Sequence, residues 1–343
     1  MLRPSCIFTL LFCSFVSTGQ SPVPKIKATD FFKDERLLEI TISTNIKELR
    51  KKTSDPAFQP AMVSVLFPDS SLVHEPIRLR RRGNFRNENC YIASLMLDFK
   101  NPGSPRLSPL KKLKWVGGCS TGNSAGQFVL KEYLAYKIYN LITDRSFRVR
   151  LVKANYRDTL GKVKPFSQYA FLIEDIAAVA KRNNCVEKKG VMYHTEWTNR
   201  NQMTIVAMFQ YMIGNTDWAV PYYHNIKLIV DKKDTLSKPF VIPYDFDYCG
   251  FVNPPYAVPP EHLGITEVTQ RLYRGFPRTI EEQEAAAEIF KANESRINDM
   301  IDQWDLLEKG TKSDMHHFLQ DYFRVIKDKD AMEHEFIEKA RTN

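Results

Sequence analysis

The stretch MTIVAMFQYMIGNTDWAVPYYHNIKLIV (203–230), with FVIPYDFD (240–247) behind it, marks where the chain changes character. Met203 to Ile213 is apolar over a helix length and reads as a buried helix. Gly214 to Asn225 reads as a polar loop and Ile226 to Val230 as a strand. Asp231 to Lys238 is a charged hairpin turn, and Phe240 to Tyr244 is a second strand that ends at Asp245-Phe246-Asp247.

Upstream of this stretch, strand patterning dominates. Strands are predicted at Leu37–Ile42, Ala61–Phe67, Pro76–Arg82, Ser94–Phe99, Lys111–Val116, Arg148–Tyr156 and Gln168–Glu174. In Pro76–Arg82, Ile77 and Leu79 share one face while Arg78 and Arg80 share the other; Lys112 and Lys114 likewise share a face of their strand. A short helix is expected over Asn45–Lys52, capped by Thr44, and a strong one over Phe128–Leu141. Downstream, Thr279–Ile289, Ile297–Leu307, His316–Ile326 and Ala331–Arg341 read as helices. This order predicts an α+β fold with two lobes, β-rich over residues 37–175 and helical over residues 176–343, within a single domain over 37–343.

The N-terminus is read separately. Arg3 precedes the apolar run CIFTLLFCSFV (6–16), and Ser17, Thr18 and Gly19 are small, so residues 1–19 have the plan of a cleavable signal peptide. The run is shorter than the roughly 20 apolar residues a membrane span needs. The expectation is an exported chain, periplasmic or extracellular, with an N-terminal arm over 20–36 and no stable membrane span after cleavage. Cys90, Cys119, Cys185 and Cys249 then remain, and one or two disulfides are expected, with Cys90–Cys119 the preferred pair.

The net charge is +9, but the cations are spread along the chain. The one dense cluster is Arg78, Arg80, Arg81, Arg82 and Arg86, and no nucleic-acid-binding signature accompanies it. A nucleotide suits so local a cluster better than a nucleic acid does.

The residues with chemical promise are Asp217, His224-Asn225 and Asp245-Phe246-Asp247, at the ends of short apolar elements. Carboxylate and amide oxygens are the ligands that Mg²⁺ prefers, often beside substrate phosphates. Asp217 is placed to orient a hydroxyl or to take its proton.

With Arg82-Gly83-Asn84, the Lys-Leu-Lys-Trp segment at 112–115, Asp217-Trp218, Asn225 and Tyr244-Asp245-Phe246-Asp247, the chain resembles the CotH kinase-like family of atypical protein kinases over roughly residues 37–305. The resemblance implies an atypical kinase-like two-lobe fold and phosphoryl transfer from ATP, with Mg²⁺ or Mn²⁺, to a protein substrate. It casts Asp217 as catalytic and Asn225, Asp245 and Asp247 as metal ligands. Arg82, Gly83 and Asn84 would lie over the phosphates. Lys112 or Lys114 would contact phosphate, with Glu132 as its ion-pair partner. Asp217 and Asn225 stand eight apart where typical kinases have about five, and Asp-Phe-Asp replaces Asp-Phe-Gly. Two other functions also fit these residues: a non-catalytic, pseudokinase-like envelope binding protein, and a nucleotide-sugar transferase using Asp-Phe-Asp.

Overall fold

A computed structural model of the chain describes residues 28–100 and 102–342. The predicted signal peptide (1–19) and residues 20–27 of the predicted N-terminal arm lie outside the described residues.

Strands β1 (Leu38–Thr44), β2 (Gln59–Leu66), β3 (Leu72–Arg82), β4 (Ser94–Asp98), β5 (Lys112–Gly117), β6 (Val149–Asp158) and β7 (Phe166–Ile173) form one closed barrel in the order β1-β2-β3-β4-β5-β7-β6. All neighbours are antiparallel except β1 and β6, whose parallel pairing, Leu38 with Val152 onward, closes the ring. Alternation along each strand fills the interior with Ile40, Val63, Leu79, Leu95, Leu113 and Trp115, all buried. Trp115 is fully buried because its Nε1 finds a partner there, donating to the Tyr156 hydroxyl at 3.0 Å. Arg81 also turns inward, and Asn87 Oδ1 (2.7 Å) and the Leu49 carbonyl (3.2 Å) satisfy its guanidinium.

Short helices decorate the barrel: α1 (Ala28–Phe31), α2 (Ile46–Leu49) and α3 (Asn84–Asn89). The side chain of Asn45, not Thr44, caps α2. At Gly83-Asn84 the expected phosphate turn is instead the start of α3, and Gly83, at φ 84°, takes the left-handed backbone needed there. The disulfide Cys90–Cys119 ties the end of α3 to the turn after β5. Cys185 and Cys249 are buried thiols.

Helix α4 (Asn123–Ile142) leaves the barrel wall and packs on its outside. Its Leu134, Ile138 and Tyr139 meet the outward Val116, Val149, Leu151 and Phe171 in a core that continues into the second half of the chain. That half holds α5 (Ile176–Arg182), α6 (Arg200–Met212), α7 (Ile280–Lys291), α8 (Glu294–Asp302), α9 (Lys309–Lys327) and α10 (Lys329–Glu333). It also holds a three-stranded antiparallel sheet of β8 (Cys185–Lys188), β9 (Ile226–Asp231) and β10 (Phe240–Pro243) in the order β10-β9-β8. Among the described residues no helix is long and apolar enough to cross a membrane.

The kinase-like two-lobe arrangement expected from the sequence is therefore corrected. A closed seven-stranded mixed barrel replaces the β-rich lobe, and helix makes up about 34% of the described residues. The physical reason is the β1–β6 pairing. It removes both sheet edges, so the barrel has its own interior core, while its outer face shares a second core with α4, α6, α7 and α9.

Candidate metal and anion site

Two elements bring three carboxylates together where the barrel meets the small sheet. Helix α4 presents Glu132 from its buried side, and the chain leaving β10 presents Asp245 and Asp247. Asp245 has φ 66°, an uncommon conformation for a residue with a Cβ, and the Tyr136 hydroxyl on α4 accepts its backbone N–H at 2.8 Å. One oxygen from each of Glu132, Asp245 and Asp247 lies within 4.8 Å of the others.

Arg86 of α3 enters this cluster from the barrel side. Its Nη2 donates to Glu132 Oε2 at 2.9 Å, its Nε to Asp247 Oδ2 at 3.0 Å and its Nη1 to the Gly117 carbonyl at 2.8 Å. The Tyr256 hydroxyl also donates to Asp247 Oδ2, at 3.2 Å. Burial pushes the Glu132 carboxyl up to about 8 and raises Asp247 too, and Arg86 opposes both shifts. Glu132 Oε1 is buried without a partner, and among the described residues the Asp245 carboxylate makes no hydrogen bond. An orphaned oxygen beside two further carboxylates is a donor set that suits a hard divalent cation.

Cations stand on the other side of Asp245. The Lys114 Nζ sits 3.7 Å from the Tyr244 ring centroid and the Lys227 Nζ 6.0 Å from it. Burial pushes Lys114 down to about 7, Arg82 and Lys227 push the same way, and Asp245 pulls against them. Among the described residues none of Arg82, Lys114 and Lys227 has a carboxylate partner. Like charges gathered at partly buried positions, with Asp245 nearby but no carboxylate in ion-pair contact, are unfavourable unless a further anion joins them.

Asp217 lies in the loop between α6 and β9, next to the residue that precedes β9. Asn215 Oδ1 accepts the Asp217 N–H at 2.9 Å, and Arg274 donates to the carbonyls of Thr216 and Trp218 on either side. The Asp217 carboxylate is held at both oxygens, by His224 Nε2 at 2.6 Å and by Asn225 Nδ2 at 2.8 Å. Asn225, at φ 51°, accepts the Tyr244 N–H through its own carbonyl at 2.9 Å. That link brings Asn225, and with it Asp217, to the end of the β9–β10 pair from which Asp245 leaves.

Of the residues singled out from sequence, Glu132, Asp245, Asp247, Arg82 and Lys114 meet in this crevice, with Asn225 and Asp217 beside it. Three details differ. Glu132 pairs with Arg86, not with Lys112 or Lys114. Lys112 is exposed one row further along the barrel, with its Nζ 5.8 Å from the Phe58 ring centroid. Gly83 and the backbone of Asn84 shape the start of α3. Arg86, Lys227, Tyr136, Tyr256 and Arg274 were missed, since their roles depend on contacts with residues far away in the chain.

No protein-family model matches the chain, and no curated protein matches it.

Proposed function

We propose that the crevice binds ATP with Mg²⁺ or Mn²⁺ and transfers the terminal phosphoryl group to a hydroxyl of a protein substrate. The observation that carries this reading is the meeting of Arg82, Lys114 and Lys227, which lack carboxylate partners, with the open oxygens of Asp245 and Glu132. A metal–phosphate complex supplies both missing partners at once. The resemblance to CotH kinase-like chains supports the same roles for Asp217 and Asp245, whereas Asn225, which the resemblance casts as a metal ligand, here donates to the Asp217 carboxylate.

In this reading Glu132, Asp245 and Asp247 hold the cation, which would neutralise charge on the phosphates. Arg82, Lys114 and Lys227 take the remaining phosphate charge. Asp217 orients the acceptor hydroxyl and receives its proton, and Asn225 holds Asp217 in place. The acceptor oxygen bonds to the γ-phosphorus as the bond to the bridging oxygen breaks, and ADP leaves. Rate enhancement comes from positioning and electrostatics. The disulfide fits an oxidising compartment, hence an exported chain.

A second reading, a non-catalytic envelope binding protein, is favoured by one observation: Arg86 already engages one oxygen of Asp247 and one of Glu132. Thermal unfolding with ATP and Mg²⁺ or Mn²⁺ tests both. A ligand at a hundred times its Kd adds about 2.7 kcal/mol of stability. The expected result is a metal-dependent shift in the wild type that Asp245→Ala abolishes, followed by labelled phosphate on a protein acceptor. No shift at millimolar ATP sinks the nucleotide site. A shift without transfer supports the binding-protein reading.

A further inference from the structure

The outward face of the barrel carries more positive charge than the crevice uses. Arg78, Arg80 and Arg82 leave β3 on one side, and Lys112 and Lys114 leave β5 on the same side, with β4 between them. The register sets Arg78, Asp98 and Lys112 in one row and Arg80, Met96 and Lys114 in the next. Lys114 and Arg82 reach the crevice. At the other end Arg78, Arg80 and Lys112 gather on the Phe58 ring, 5.1, 4.8 and 5.8 Å from its centroid. Asp98 is the one acid in these rows, and it accepts from Arg78 at 2.5 Å. Among the described residues Arg80, Arg82, Lys112 and Lys114 have no carboxylate partner.

We propose that this strip is a docking track for an extended, acidic segment of a protein partner. Alternate side chains of an extended chain are about 6.8 Å apart, the same repeat as Arg78, Arg80 and Arg82, which together cover about 14 Å. Carboxylates at alternate positions of such a segment can meet the unpaired Lys112, Arg80 and Arg82 as Asp98 already meets Arg78. The track runs into the crevice, so a hydroxyl-bearing residue at the end of the segment arrives near Asp245. Nucleic acid fits less well. Single strands bind through open aromatic faces on which bases stack, whereas three cations cover the Phe58 ring and Lys114 covers Tyr244. The docking stands on the strip alone and rests on the phosphoryl-transfer reading only for the fate of the hydroxyl.

The test is fluorescence anisotropy of the full chain with three probes at low and physiological salt. These are a short peptide with Glu at alternate positions beside one Ser, its Gln counterpart, and an oligothymidylate. The expected result is salt-sensitive binding of the Glu peptide, with the Gln peptide about tenfold weaker. Arg80→Glu weakens the Glu peptide by about tenfold and Arg80→Gln by a smaller factor, so the milder variant still tests the track if the reversal impairs folding. Equal binding of the two peptides, indifference to both Arg80 variants, or tighter binding of oligothymidylate overturns the proposal. Failure of the ATP-dependent thermal shift with Glu-peptide binding intact sinks the transfer reading and leaves the track standing; the reverse pattern sinks the track alone.

Discussion

Replacing Lys114 by Met tests whether this part of the barrel is kept for a ligand at the expense of stability. Lys114 is pushed down to about 7 from the ordinary lysine value of 10.5, chiefly by burial and then by Arg82. At about 1.36 kcal/mol per pKa unit, that shift sets a ceiling of about 4.8 kcal/mol on the penalty of the charged amine in the fold. The side chain is half-buried, and solvent screening leaves roughly 2 kcal/mol. The sign follows from proton counting. Between pH 7 and pH 10.5 the unfolded chain holds the Lys114 proton and the folded chain has released it, so stability rises with pH across that window. Below pH 7 both states hold the proton and the penalty is complete.

Met keeps the length of the side chain and its contact with Tyr244 while removing the charge. Urea unfolding at pH 6 is therefore expected to show Lys114→Met about 2 kcal/mol more stable than the wild type, with the gap shrinking toward zero by pH 10. The same variant is expected to lose the stabilisation by ATP and metal. A variant no more stable than wild type at pH 6, or a gap that does not change with pH, refutes the argument that uncompensated positive charge is held there.

Arg86→Met leaves Glu132 and Asp247 buried without their cation and is expected to cost about 3–5 kcal/mol in urea unfolding; adding Glu132→Gln is expected to recover part of it. Replacing Cys90 and Cys119 by Ser opens a loop with a sequence separation of 29, and a loss of about 3.5 kcal/mol is expected, read as a lower urea midpoint. Thr279→Ala removes the capping box at the start of α7, where the Thr279 side chain takes the Glu282 N–H and Glu282 returns to the Thr279 N–H. A loss of about 1 kcal/mol is expected there by the same measurement.

Local patterns carried the strand positions well. Alternation put Ile77 and Leu79 on one face of β3 with Arg78 and Arg80 on the other, and the structure places the first pair inside the barrel and the second outside. The Cys90–Cys119 pair was also legible from the strands that flank it. What alternation does not carry is which strand meets which. The parallel contact of Leu38 with Val152 leaves no local mark, and without it a row of strands reads as an open lobe. The site divides in the same way. Asp217, Asn225 and Asp245 are close in sequence and stood out, whereas Arg86 looked like one more cation of a surface cluster. Its burial depends on Glu132 and Asp247, which α4 and the end of β10 bring to it from far along the chain.

Arg86 also connects the two readings of the site. Three carboxylates packed within 4.8 Å would repel one another strongly in a region that excludes water. With all three ionised, as a bound cation would hold them, the Arg86 guanidinium brings the formal charge to −2, which a single divalent cation cancels. The guanidinium engages Glu132 Oε2 and Asp247 Oδ2 and leaves Glu132 Oε1 and both oxygens of Asp245 open. Arg86 therefore holds the cluster together when empty without filling the positions a cation needs. A protein that had abandoned the metal would gain by closing those positions with a further donor or an apolar side chain. The orphaned Oε1 and the unpartnered Asp245, facing Lys114 and Arg82, weigh toward a site that still takes a metal–phosphate complex.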